Sequence, residues 1–168
     1  MDKSKKGCID EEIKELLDVI NVKYQTTSSC AGRIVVYTVS DDRKKQKTEW
    51  LLASHKKVEF DDVKKLDLPN DIVWFRFEPL ILHVACESVE SACELIKKAS
   101  SCGFKHSGIM STEKRIMAEI RGTDFIDAPI AKGEMFVNDE GLRLLIEEAN
   151  NKLDKNLYRI NRFLELLK

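Results

Sequence analysis

From Asp139 to the C-terminus nine apolar residues, Leu142, Leu145, Ile146, Ala149, Leu153, Leu157, Ile160, Leu164 and Leu167, fall on one helical stripe. A stripe that long has to be covered along its whole length, so the remaining chain must supply matching apolar surface. Most of what precedes it is β-rich. Arg33-Ile-Val-Val-Tyr-Thr-Val39 and Thr48 to Ser54 read as a hairpin around a charged turn at 41–47. Asp71 to Phe77 and Leu80 to Ala85 are two further β runs. Glu78-Pro79 separates them, because proline cannot donate into a central ladder. Lys105 to Ser111, Lys114 to Arg121 and Asp124 to Ile130 read as later strands. Two helices interrupt the pattern. One carries Ile13, Leu16, Leu17 and Ile20 after an Asp10 N-cap. The other follows a Ser88 cap, puts Val89, Ala92, Cys93, Ile96 and Ala99 on one face, and stops at Gly103.

These elements predict an α+β fold, a mostly antiparallel sheet with outer helices, in a single domain over residues 1–168. A polar Ser-Gly segment precedes a β run twice, at Ser28 to Gly32 and at His106-Ser107-Gly108. The echo suggests two related β/α halves sharing one sheet.

Charge limits the partners. Charged residues make up 34% of the chain, yet 28 basic and 29 acidic side chains leave a net charge of -1. A nucleic acid would have to be held by a local patch rather than by the field of the whole molecule. The basic run Arg43-Lys-Lys-Gln-Lys47, with Lys56, Lys57 and Arg121, is the candidate, although such runs are usually solvated. No apolar stretch approaches a membrane span and no signal peptide is recognisable, so a cytoplasmic protein without a membrane partner is expected. The five cysteines form no C-x-x-C pair, and the histidines lack metal-ligand spacing within one element; reduced thiols and no metal are expected.

Familiar cofactor signatures are absent. There is no G-x-G-x-x-G, no phosphate loop and no G-x-S-x-G elbow. The unusual segment is Thr26-Thr-Ser-Ser-Cys-Ala-Gly-Arg33. Its hydroxyls and guanidinium suit a carboxylate or phosphate, and a polar edge strand with a glycine bulge would read the same way. Strict alternation puts Trp50, Leu52 and Ser54 on one face and His55 on the other. Trp50 offers a surface for stacking or for a core. His55 and His83 offer a proton acceptor or ordinary structural imidazoles. Cys30 is either a nucleophile or an inert thiol.

Five blocks then occur in order. They are Ser28-Ser-Cys-Ala-Gly-Arg-Ile34, Trp50-Leu-Leu-Ala-Ser-His-Lys56, Phe77-Glu-Pro-Leu-Ile-Leu-His-Val84, Gly103-Phe-Lys-His-Ser-Gly-Ile109 and Ile120-Arg-Gly-Thr-Asp-Phe-Ile-Asp-Ala-Pro-Ile130. In this order the chain resembles the tRNA wybutosine-synthesising protein 3 family. It departs from that pattern at His106, where Asn is expected, and at Lys105, where Arg is expected.

The resemblance implies a duplicated β-plus-α arrangement around one barrel-like sheet. It also implies an S-adenosyl-L-methionine-dependent methyltransferase, with that small molecule as methyl donor and phenylalanine tRNA as partner. The modified base would be 7-aminocarboxypropyl-demethylwyosine beside the anticodon, methylated on its N-4 ring nitrogen. On that reading Ser28, Ser29, Arg33, Ser107 and Gly108 are candidates for the donor, and His55, then His83, for the base. Trp50, Arg43, Lys44, Lys45, Lys56 and Arg121 are candidates for the RNA. Two other functions fit the same residues: a non-catalytic tRNA-binding module that presents tRNA to another modification enzyme, and an enzyme using a Cys30–His55 thiolate pair.

Overall fold

The structure is a computed structural model and describes residues 9–40 and 47–168. Its elements follow in the order α1 (Lys14–Lys23), β1 (Gln25–Cys30), β2 (Arg33–Ser40), β3 (Lys47–Ser54), α2 (Phe60–Lys64), β4 (Ile72–Glu78) and β5 (Ile81–Cys86). Then come α3 (Val89–Ser101), β6 (Gly108–Ser111), β7 (Ile116–Arg121), β8 (Ile126–Lys132), β9 (Glu134–Met135) and α4 (Asp139–Leu167). The α+β class and antiparallel pairing agree with the sequence reading. The strands form two open sheets, and no closed barrel is present among the described residues. Two compact units contain them. The first unit takes the described residues up to Gly32, then Pro79–Thr123 and Lys155–Lys168; the second takes Arg33–Glu78 and Asp124–Asp154.

In the first unit the strands run β1-β5-β7-β6. Alternation along β5 buries Leu82 and Val84 on one face and leaves Ile81, His83 and Ala85 half-buried on the other. The apolar face packs against Leu16, Leu17 and Ile20 of α1, Ala92, Leu95 and Ala99 of α3, and Ile160, Phe163 and Leu164 of α4. Asp10 precedes a short 3-10 turn but does not cap it with its side chain; its Oδ2 accepts from Ala31 N at 2.8 Å. Ser88 does cap α3, accepting from Ser91 N at 3.1 Å. Cys93 is exposed and Leu95 fully buried, so the apolar face of α3 lies to one side of the expected one.

In the second unit the order is β3-β2-β4-β8-β9. Ile34, Val36, Val73, Phe75 and Phe77 line one face against Leu142, Ile146, Ala149 and Leu153 of α4. The short helix α2, absent from the sequence reading, adds Val63. Asn150 grips the peptide of Val58 at both ends, accepting from its N at 3.0 Å and donating to its O at 2.9 Å. The register slips by one residue between Val36 and Tyr37, so Trp50 lies opposite Tyr37 while Leu52 lies opposite Val36. The strict alternation that put Trp50, Leu52 and Ser54 on one face therefore holds for Leu52 and Ser54 and fails at Trp50. Leu51 occupies a bulge, which turns Trp50 to the outer face and leaves Leu52 on the inner one.

Chain crossings explain the Glu78-Pro79 break: β4 and β5 belong to different sheets. The other crossing, from β1 to β2, turns at Gly32 with φ of 101°, a left-handed conformation that a side chain would strain. Beside both crossings lies one buried amide. Asn156, 2% exposed, accepts from Leu80 N at 2.9 Å and donates to Ala31 O at 2.7 Å. Replacing Asn156 with Ala leaves two buried backbone groups unsatisfied. The expected loss is about 2–4 kcal/mol of unfolding free energy, read from denaturant midpoints, against about 0.5 kcal/mol for a surface control.

Candidate functional site

Antiparallel pairing brings residues from distant parts of the chain into one row, because directly opposed residues share a face. In the first unit Ser28 pairs with His83, His83 with Glu119, and Glu119 with Gly108, so one row crosses all four strands. Ser28 Oγ lies 3.4 Å from His83 Nδ1, and Glu119 Oε2 lies 3.1 Å from His83 Nε2. A bulge at Thr27 sets this alignment, and its hydroxyl donates to His83 O at 3.2 Å. At the far end of the row, a Cβ on Gly108 would meet no atom within 4 Å, so that end is open.

The remaining first-unit candidates have structural duties. Ser107 Oγ donates to Phe104 O at 2.6 Å and accepts from Arg121 N at 3.1 Å, which fixes the entry to β6. Ser29 pairs with Leu82 and so faces the apolar side, opposite to Ser28. Cys30 lies across from Ile81 outside any disulfide, and Arg121 is exposed on the other side of Ile81.

The outer face of the second sheet carries a charged network that sequence reasoning missed. Arg33 Nε donates to Glu78 Oε2 at 2.7 Å, and its guanidinium lies 4.2 Å over the Trp50 ring. Arg76 reaches the other oxygen of Glu78 with Nη1 at 3.4 Å and Asp127 Oδ2 with Nη2 at 2.7 Å. It also bonds the Tyr37 hydroxyl, which itself donates to Asp127 Oδ1 at 3.2 Å. Arg76 Nε is buried with no hydrogen-bond partner among the described residues. The terminal nitrogens of Arg33 likewise have no partner there. One face and one edge of this guanidinium are thus committed.

Burial pushes the Tyr37 hydroxyl above the usual tyrosine range; Asp127 and Glu78 add to the rise and Arg76 opposes it. Arg76 is held upward as well: burial works against its charge, but Asp127, Tyr37 and Glu78 outweigh that.

Trp50 and Arg33 are brought together on the outer face of the second sheet. His55 follows β3 in the second unit, half-buried, whereas His83 belongs to the first. Lys56 is exposed, with its backbone N donating to Ser54 Oγ at 3.0 Å. Arg43, Lys44 and Lys45 lie outside the described residues. The missed members are Tyr37, Arg76, Glu78, Asp127 and Glu119, and those of the second sheet left one signal in the sequence. Arg76 and Glu78 alternate with Phe75 and Phe77, as charges on the outer face of a half-buried strand must.

The Methyltransferase TYW3 family model matches residues 1–168. The zebrafish (Danio rerio) tRNA wybutosine-synthesizing protein 3 homolog is 39% identical over 174 residues, covering 99% of this chain and 69% of its own length. A Thermococcus sibiricus protein, tRNA(Phe) 7-((3-amino-3-carboxypropyl)-4-demethylwyosine(37)-N(4))-methyltransferase, is 36% identical over 96% of this chain and 85% of its own. The solved structure of the PH1069 protein from Pyrococcus horikoshii superposes with a TM-score of 0.88 at 34% identity, over 98% of this chain and 88% of that one.

The upward shift of Tyr37 has a consequence at alkaline pH. Its folded pKa lies above the unfolded one, so the stability it contributes is present below the unfolded value, about 10, and is lost as pH rises through the folded one. An absorbance titration of tyrosinate should show a late-ionising component that Tyr37→Phe removes.

Proposed function

The chain belongs to the Methyltransferase TYW3 family, and on that premise we propose that it methylates the N-4 ring nitrogen of 7-aminocarboxypropyl-demethylwyosine in phenylalanine tRNA, using S-adenosyl-L-methionine in the cytoplasm. The observation that carries this reading is the match over residues 1–168. It is supported by the Thermococcus sibiricus relative, whose name states N(4)-methylation of that base in tRNA(Phe). Among the described residues no helix is long and apolar enough to cross a membrane.

The side chains present fit such a donor. Its amino-acid end carries a carboxylate, and Arg33 offers an uncommitted fork whose orientation is held by Glu78 and Trp50. Among the first-unit candidates, Gly108 ends the row that runs through Ser28 and His83, while Ser29 faces the apolar side and Ser107 fixes the entry to β6. Bound, the donor would supply an electrophilic methyl group on a sulfonium that departs as a neutral thioether. Little acid catalysis is therefore required of the protein, and its main work is to place the acceptor nitrogen in line. A base is needed for the proton on that nitrogen. His83 is the better supported of the two histidines because Ser28 and Glu119 flank both of its ring nitrogens; His55 is the second. For the RNA, exposed Lys56, Arg121 and Trp50, with Arg43, Lys44 and Lys45, supply charge and a stacking surface.

The test is reconstitution. Purified protein, donor and a phenylalanine tRNA bearing the demethylated, aminocarboxypropylated base should give a nucleoside heavier by one CH2 in mass spectrometry. RNA binding without donor binding in calorimetry would favour a non-catalytic module instead. Arg33→Lys should weaken donor binding by about tenfold, since an ammonium lacks the bidentate fork. His83→Ala should lower kcat by about 100-fold or more; a comparable loss in His55→Ala alone would move the base to His55.

A further inference from the structure

The geometry points to Glu119 as a positioning residue that gives His83 its direction, making Ser28 the relay through which a substrate proton leaves; this rests on the methyltransferase reading above. An ionised carboxylate has no proton to donate. In the 3.1 Å contact between Glu119 Oε2 and His83 Nε2 the imidazole is therefore the donor. A neutral ring protonated at Nε2 carries its lone pair on Nδ1, and that nitrogen faces Ser28 Oγ at 3.4 Å. The serine must then turn its hydrogen toward the ring, which leaves its oxygen lone pairs free to accept from an N–H group. The order is one-way: acceptor nitrogen, Ser28, His83, Glu119.

Three features of the fold support that assignment. All three side chains are half-buried and lie in a single cross-strand row, so strand pairing rather than a loop sets their spacing. Among the described residues His83 is the partner of the Glu119 side chain, and no lysine or arginine there forms an ion pair with that carboxylate. Thr27 Oγ1 bonds the carbonyl of His83, tying the bulge that aligns Ser28 to the same residue.

The step balances. The bond from the acceptor nitrogen to the methyl carbon forms as the carbon–sulfur bond breaks, and the sulfonium becomes a neutral thioether. The proton on the nitrogen passes to Ser28 Oγ while the serine's own proton passes to His83 Nδ1. The resulting imidazolium is held against Glu119, the arrangement by which a carboxylate orients and supports a histidine base. Solvent takes the proton between turnovers.

The tautomer is measurable without any turnover. In the full chain with 15N-labelled histidine, at a pH where the ring is neutral, His83 should show the Nε2–H form. In Glu119→Gln that preference should fall, because the amide can donate to Nε2. With donor and tRNA, the same variant should lower kcat by about tenfold or more while the KM for S-adenosyl-L-methionine changes less than about twofold. Ser28→Ala should lower kcat with the tautomer intact. A purely structural Glu119 would leave the tautomer unmoved, or lower kcat only in proportion to folded protein. An Nδ1–H tautomer in the unaltered protein, or full kcat in Glu119→Gln, overturns the proposal. Loss of the methyltransferase reading itself would appear separately, as an unaltered protein with the expected tautomer that methylates nothing.

Discussion

One side-chain amide sits where the chain crosses between its two sheets. Asn156 satisfies the carbonyl of Ala31, next to the turn out of β1, and the N–H of Leu80, next to the entry into β5. Strands must end where the chain changes sheet, and the backbone groups at those ends lose their ladder partners. Buried, they need another partner. A single polar residue on a largely apolar helical stripe supplies both bonds. The adjoining ends of β1 and β5, and with them the row that aligns Ser28, His83 and Glu119, depend on that supply.

Each sheet spends one face on its core and leaves the other polar. In the first unit the second face holds a histidine between a hydroxyl and a carboxylate. In the second it holds two guanidinium groups shared between Glu78 and Asp127, with Tyr37 and Trp50 against them. These are different kinds of machinery. The first can move a proton, while the second can fix the direction of a permanent charge. A reaction with a neutral leaving group needs both placement and a proton acceptor and has little use for a strong acid.

Much of the fold was legible because it is written in local periodicity. The stripe on α4, the Ser88 cap and the Pro79 break each report a short-range rule, and each matches the structure. Strict alternation failed where a bulge adds a residue, as at Leu51, and a bulge has no mark in the sequence. The short helix α2 was missed because five residues carry too little periodic signal. The charged network was illegible for a different reason. Arg76 and Asp127 are 51 residues apart, and only the pairing of β4 with β8 makes them neighbours. The five ordered blocks carried the family without revealing how those residues meet. Glu119, between Ala118 and Ile120 in an apolar strand, was the one cue toward the row that went unused.

The row from Ser28 to Gly108 lies within strands, whereas functional groups in most folds are carried on connecting loops. Segments joining these strands can therefore lengthen or shorten among relatives with little effect on the chemistry. Inside β5 or β7 the opposite holds. Gain or loss of one residue there would exchange the two faces of the strand, turning His83 or Glu119 inward and an aliphatic residue outward. Drift in this lineage should show up as variable linkers around strands of constant length, with the extra residue at Thr27 retained as part of the pattern.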